Sequence, residues 1–305
     1  MRVLTDTLKR LGSASPLASM MRALSDFSGA GVLNVLASSS GLEISCGITF
    51  DLCNGLALDV YRPRAAEQAP VIVFYWGGRW EEGDRSMYRF VGCELARKGF
   101  VVVIPNYRLY PTVRFPAFIE DSARAVGWVH ARAADYGGDP EKIVLLGHSA
   151  GAYNAAMLAL NPAYLDALGG SREWLRGMIG LGGPYDFLPL VDEDLKDMFG
   201  PPSGYPLTQP IHWADGSNPP LLLIESWDDR IVYPKNTLNL YAQVRANGGP
   251  VEKYLPHGLS HEMLIGVVSN VLAFRSDIVS RIVEFTHRVT DTAPAVDRAP
   301  RPCGG

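Results

Sequence analysis

The sequence predicts an α/β fold, with a mostly parallel central sheet, helices on both faces and an antiparallel hairpin at its N-terminal side. Three observations predict it. Beyond about residue 70, short apolar runs rich in β-branched residues alternate with longer helix-like segments, as in a sheet covered on both faces. Before that alternation, two strand-like runs are separated by a short loop containing Asn54-Gly55, a hairpin signal. Finally, 47% hydrophobic and 20% charged residues over 305 positions is ordinary globular usage, enough to bury one large core.

Each element follows from a local pattern. The hairpin strands run from Ile44 to Phe50 and from Leu56 to Tyr61. Four nearly continuous apolar runs, Val71 to Tyr75, Phe100 to Pro105, Lys142 to Leu146 and Gly177 to Leu181, read as strands buried on both faces. Two more lie at Leu221 to Glu225 and Val251 to Leu255. Helices are expected over Arg85 to Lys98, Ala117 to Ala134, Ala150 to Leu160, Pro234 to Asn247 and about Ser269 to Val289. Gly99 ends the first and Gly248-Gly249 the fourth, where glycine tolerates the left-handed conformation of a helix C-terminus. Residues 1–40 read as a helical segment outside this alternation and a candidate cap, 41–290 as the catalytic domain, and 291–305, rich in proline, as a disordered tail.

The charge balance, 28 basic against 32 acidic residues, gives a net −4 without blocks of like charge, so no footprint for nucleic acid or an anionic membrane is present. Cys46, Cys53, Cys93 and Cys303 lack C-x-x-C or metal-ligand spacing and read as buried or surface thiols. No run approaches a transmembrane helix in length, and the N-terminus shows no secretory h-region, so a cytoplasmic location is expected.

Chemistry enters at Gly147-His148-Ser149-Ala150-Gly151, a G-x-S-x-G match with a buried strand before it and an Ala/Leu-rich helix after it. Such a strand-turn-helix lifts a serine hydroxyl above the sheet, and glycines remove the side chains that would clash. A serine hydroxyl is a weak nucleophile at neutral pH, so it needs a base and an acid that fixes the base's tautomer. These are expected later in the chain, acid before histidine. Asp228 and Asp229 both lie in the loop after the Leu221 strand. Of six histidines, only His257 and His261 fall in the loop after the final strand; His261, just before a helix-like stretch, is the first choice and His257 the reserve. An oxyanion hole for the tetrahedral intermediate is expected from the N–H groups of Ala150, Gly78 and Arg79, with Gly77 the weaker candidate. Trp76, Trp80 and Tyr185 lie near these loops and are expected to line an apolar substrate pocket.

These motifs resemble the α/β-hydrolase fold, in the hormone-sensitive-lipase-related branch of H-G-G-x-W esterases, feruloyl-esterase-like carboxylesterases and kynurenine formamidases. The resemblance spans roughly Gly55 to Val289. It also covers Gly83-Asp84-Arg85, Asn106-Tyr107-Arg108-Leu109-Tyr110-Pro111, Phe115 to Asp121 and Gly183-Pro184-Tyr185-Asp186-Phe187. It implies Asp229, rather than Asp228, as the acid, and aligns the family histidine with His261. Three positions depart from the pattern: Trp76 replaces the motif histidine, Glu225-Ser226 replaces the H-G that opens the acid loop, and the base loop holds a second histidine. Asp84, Arg108 and Asp121 are expected to brace loops.

The expected function is that of a serine carboxylesterase, cleaving small carboxylic esters through an acyl-enzyme on Ser149 with His261 and Asp229, without cofactor or metal. The alternatives are a formamidase or other small-amide hydrolase, and a non-catalytic binding protein on a hydrolase scaffold. The partner implied is a small-molecule ester or amide, with no nucleic acid and no membrane; a homodimer is compatible with the sequence.

Overall fold

The computed structural model describes residues 30–291. Most of the expected N-terminal cap, the tail beyond Asp291 and Cys303 therefore lie outside the described residues. Eight strands form one sheet: β1 (Leu42–Asp51), β2 (Leu56–Pro63), β3 (Ala69–Tyr75), β4 (Val101–Pro105), β5 (Gly138–His148), β6 (Leu175–Leu181), β7 (Leu221–Ile224) and β8 (Val251–Tyr254). Their spatial order is β1-β2-β4-β3-β5-β6-β7-β8. β1 pairs antiparallel with β2, and β2 antiparallel with β4. Every later pairing is parallel. The strand types follow from burial: β3 and β4 are Val/Ile/Phe runs with almost no exposed surface, whereas the edge strand β1 mixes buried and exposed positions.

The helices are α1 (Arg89–Arg97), α2 (Ala117–Arg132), α3 (Ala150–Leu160), α4 (Ala163–Asp166), α5 (Glu193–Phe199), α6 (Lys235–Ala246), α7 (His261–Gly266) and α8 (Ile278–Asp291). α3 is buried along its whole length, as an alanine-rich helix against the sheet allows. Asn34, in a helical stretch at 30–36, bonds across to the start of α1: its Oδ1 accepts from the N–H of Phe90 at 3.0 Å and its Nδ2 donates to the Ser86 carbonyl at 2.9 Å. This serves a helix whose own N-cap residue, Tyr88, makes no side-chain cap.

One expectation is corrected. The single helix foreseen from about Ser269 is interrupted, because the Ser269 hydroxyl donates to the Gly266 carbonyl and accepts from the Leu272 N–H, closing a turn instead. Ser276 then accepts from the Ile278 N–H and starts α8. α5 was not anticipated. Asp192 opens it by accepting from the N–H groups of Asp194 and Leu195.

The order β4-β3-β5 makes a switch point, since the chain leaves β3 for one side and returns on the other. Crevices at such points lie beyond the C-terminal ends of the strands. Tyr75 pairs with Gly147 there, so the loops after β3 and β5 emerge side by side. Among the described residues, no helix is long and apolar enough to cross a membrane. Cys46 and Cys53 are exposed and Cys93 is buried; all three are free thiols.

Candidate active site

Ser149 stands between β5 and α3 with φ 54° and ψ −122°, a region that costs a non-glycine residue about 1–3 kcal/mol. The surrounding bonds hold it there: its N–H donates to the Leu181 carbonyl at 2.9 Å, and its own carbonyl accepts from Ala152 and Tyr153. The two motif glycines have steric reasons. A methyl at Gly151 would collide with the Tyr75 and Trp76 carbonyls, and one at Gly147 with Gly151 and Ala152. Glycine at both therefore lets α3 start directly against the end of β3.

β7 and β8 deliver the other two groups. Asp229 is buried, and its Oδ1 accepts from the N–H groups of Ile231 and Val232 at 2.8 and 2.9 Å. Its Oδ2 lies 2.6 Å from His261 Nδ1, at the first position of α7. Burial alone would oppose ionisation of Asp229, but the bond from His261, its charge and the two amides outweigh it and hold the carboxyl below its ordinary value. An ionised Oδ2 requires the proton on Nδ1, which leaves His261 Nε2 as an acceptor. That nitrogen is buried and makes no hydrogen bond among the described residues.

The reserve residues are placed differently. His257 and Asp228 approach each other at 3.7 Å on the surface, where His257 is 77% exposed, and Asp228 accepts from the Gly258 N–H. His148 is buried, with Nε2 3.1 Å from the His261 carbonyl. Burial, with the neighbouring His261, drives its imidazole down to about 3, so it stays neutral.

A cavity of about 300 Å³ opens over Ser149 and His261. Gly77, Gly78, Met87, Tyr88 and Ile231 contribute to its walls. The N–H groups of Gly78 and Arg79, in the loop after β3, and of Ala150, at the first position of α3, make no hydrogen bond among the described residues. Gly77, the weaker sequence candidate, packs against Ser149: a Cβ on it would stand 2.9 Å from the Ser149 Cβ. Arg79 and Trp80 are both left-handed, at φ 55° and 63°, and Arg79, itself one of the lining residues, pairs through its side chain with Asp192 at 3.2 Å.

The expected substrate-lining aromatics are corrected. Trp76, Trp80 and Tyr185 are buried in the core and do not line the cavity. Trp80 sits among Phe118, Tyr153, Phe187 and Phe199, and its indole N–H donates to Asn154 Oδ1 at 2.9 Å. Tyr185 is a buried residue of the loop after β6, and its backbone N–H donates to Asn236 Oδ1. Trp76 answers the missing motif histidine: it donates to the Pro105 carbonyl at 2.9 Å and stacks on Tyr107, whose hydroxyl donates back to the Trp76 carbonyl. In this way Asn106-Tyr107 braces the loop. Met87, Tyr88 and Ile231, which do line the cavity, carry no separate sequence signal; Met87 and Tyr88 follow the Gly83-Asp84-Arg85 motif in a single 3-10 turn.

The remaining motif charges brace the scaffold. Arg108 forms a two-pronged pair with the fully buried Asp121 at 2.8 Å. Asp84 accepts from the Ser86 N–H and from Asn106 Nδ2. Ser226, in the departed acid-loop motif, donates through Oγ to the Leu259 carbonyl at 2.7 Å, tying the acid loop to the base loop.

The family model described as BD-FAE matches residues 58–244. A probable isoprenylcysteine alpha-carbonyl methylesterase, ICMEL1 of Oryza sativa subsp. japonica, is 36% identical over 141 residues, 44% of this chain and 33% of that protein. Esterase LipQ of Mycobacterium tuberculosis (strain ATCC 25618 / H37Rv) is 28% identical over 218 residues, 65% of this chain and 51% of that protein. The chain thus spans between about a third and about a half of the length of these curated relatives. Among solved structures, Thermogutta terrifontis esterase 2 phosphonylated by sarin superimposes with a TM-score of 0.69 at 22% identity, over 84% of this chain and 98% of that one. A truncated carbohydrate esterase from gut microbiota gives 0.70 at 20% identity, over 82% and 97%. At these identities the structural likeness establishes the α/β-hydrolase fold.

Proposed function

The chain belongs to the BD-FAE family, and from that premise we propose that it is a serine carboxylesterase acting on small carboxylic esters. The observation that carries the reading is the 2.6 Å contact of His261 Nδ1 with the buried Asp229, on a histidine whose other nitrogen has no hydrogen-bond partner among the described residues and which shares a cavity with a strained serine. Such a histidine can take the Ser149 proton as the hydroxyl attacks the ester carbonyl, and the carbonyl oxygen becomes an oxyanion. Backbone N–H groups of Gly78, Arg79 and Ala150, and of Gly77 beside Ser149, are the donors proposed for that oxygen. The imidazolium then protonates the departing alcohol. Water, deprotonated by the same imidazole, attacks the acyl-enzyme carbonyl, releases the acid and restores Ser149.

The esterase names carried by the relatives, and the organophosphorus adduct named for the Thermogutta enzyme, support the same chemistry here. The test is fluorophosphonate labelling of the wild type and Ser149→Ala, run beside a panel of aryl esters of increasing acyl length and matched amides. Labelling of the wild type alone, with ester turnover lost in Ser149→Ala, is the expected result. Equal labelling of both proteins, or turnover surviving the substitution, overturns the assignment, and faster turnover of the amides would move it to amide hydrolysis.

A further inference from the structure

Four residues before Asp229, on the same loop and interacting with it, is a second carboxyl. Glu225 follows β7, is fully buried, and replaces the first residue of the family's acid-loop motif. Its Oε1 accepts from the Ser226 N–H at 2.8 Å, while its buried Oε2 meets no donor among the described residues, and the Asp229 carboxyl is close enough for a protonated Glu225 to hydrogen-bond to it. No cation pairs with it among the described residues. The titratable groups acting on it are Asp229, on its own loop, and Tyr185, from the loop after β6. Of the elements packed around β7, α6 buries only Asn236, Thr237, Leu240 and Val244, β6 presents Gly180 and Leu181 alongside, and the charged residues of β8, Glu252 and Lys253, are exposed and engaged with Arg288 and with the Tyr241 ring, while the backbone of Glu225 itself donates to the Tyr254 carbonyl.

A buried, unpaired carboxylate beside a second carboxylate is one of the least favourable arrangements in a protein interior. Resting on the esterase reading above, we infer that Glu225 is a positioning residue that acts through Asp229. With its proton on, it anchors the Ser226 amide without adding charge, so His261 faces a single carboxylate. With its proton off, a second negative charge repels Asp229 from its place against His261. The anchoring matters because Ser226 is also the residue that ties the acid loop to Leu259, two positions before His261. Burial first, and then the charge of Asp229, push the Glu225 carboxyl up to about 9, consistent with a neutral acid at pH 7.

The experiment compares pH profiles of kcat and KM for the wild type, Glu225→Gln and Glu225→Leu with one aryl ester, alongside thermal unfolding from pH 5 to 10. Wild-type kcat is expected to fall above about pH 9. Glu225→Gln, neutral and able to accept from Ser226, should match the wild type within about twofold at pH 7 and lose the alkaline decline. Glu225→Leu, which removes the acceptor, should lower kcat about tenfold with KM nearly constant. Stability gives a readout that needs no activity. Between about 4.5 and about 9 the folded protein keeps a proton the unfolded chain releases, so stability falls as pH rises through that window, and Glu225→Gln should remove this part of the decline. An active wild type whose alkaline decline is shared by Glu225→Gln overturns the role of Glu225 and leaves the esterase reading intact. Should Glu225→Leu not fold, the Gln profile alone decides. A wild type inactive on every ester overturns both.

Discussion

His261 Nδ1 lies 2.6 Å from Asp229 Oδ2, a contact between two buried side chains 32 residues apart in the chain. Asp228, one residue away, instead faces solvent and pairs with His257 at 3.7 Å. Two acid-histidine pairs therefore occupy the same two loops, and only the inner one reaches the cavity.

Asp229→Asn should lower kcat on an aryl ester by about 10³–10⁴, because an amide no longer fixes the proton on Nδ1. Asp228→Asn and His257→Ala should each change kcat by less than about threefold, as expected for exposed groups. Steady-state kinetics on the three variants checks this. A large loss in the outer pair, with the inner pair spared, would exchange their roles.

Much of the fold was legible because its cause is local. Buried strands read as apolar runs, and all eight strands appear within a few residues of the expected ranges, such as Val71 to Tyr75 and Phe100 to Pro105. The helix after β8 was misread because its breaks depend on two serine hydroxyls, Ser269 and Ser276, bonding to their own backbone. The site divided along similar lines. Ser149, Asp229 and His261 could be singled out because each follows a strand end in chain order; Ser149 and His261 line one cavity, and Asp229 lies buried against His261. The lining was not, because aromatic residues near a motif loop are as well suited to packing as to recognition, and Trp80 went to the core. Nor did anything in the sequence indicate that Trp76 would brace through Pro105 and Tyr107, since that depends on β3 and β4 being neighbours.

Gly77→Ala tests how closely the loop after β3 is fitted to the nucleophile. The added methyl would stand 2.9 Å from Ser149 Cβ and 3.0 Å from the His148 carbonyl, so one of the two segments must shift. Overpacking of this kind costs about 1–3 kcal/mol. Displacing an oxyanion donor costs about 10²–10³ in kcat. We expect a lowered Tm with kcat reduced by about that factor and KM little changed; retention of full activity would place the oxyanion donors elsewhere.

Trp80→Phe separates packing from recognition. It keeps the aromatic cluster of Phe118, Tyr153, Phe187 and Phe199 but leaves the buried Asn154 Oδ1 without its donor. Losing one partner of a buried bond costs about 1–3 kcal/mol. Urea unfolding should show that loss, while the ratio of kcat/KM for acetyl and butyryl aryl esters stays within about twofold. A changed acyl preference at unchanged stability would return Trp80 to the substrate pocket.

The acid side of the stability profile should be shaped by His148. Its folded value lies at about 3 against 6.5 in an open chain, because burial and His261 disfavour the imidazolium. Between those two values the unfolded chain binds a proton that the folded protein refuses, so stability falls as pH drops through the window. By pH 4 this amounts to on the order of 3 kcal/mol. The lowered Asp229 acts in the same direction, since protonation of the unfolded carboxyl begins at a higher pH than that of the folded one. His148→Gln retains a donor for the His261 carbonyl and has nothing to protonate. Its Tm should therefore decline less than that of the wild type between pH 6.5 and 4, and parallel curves would mean that the buried ring takes up its proton without penalty.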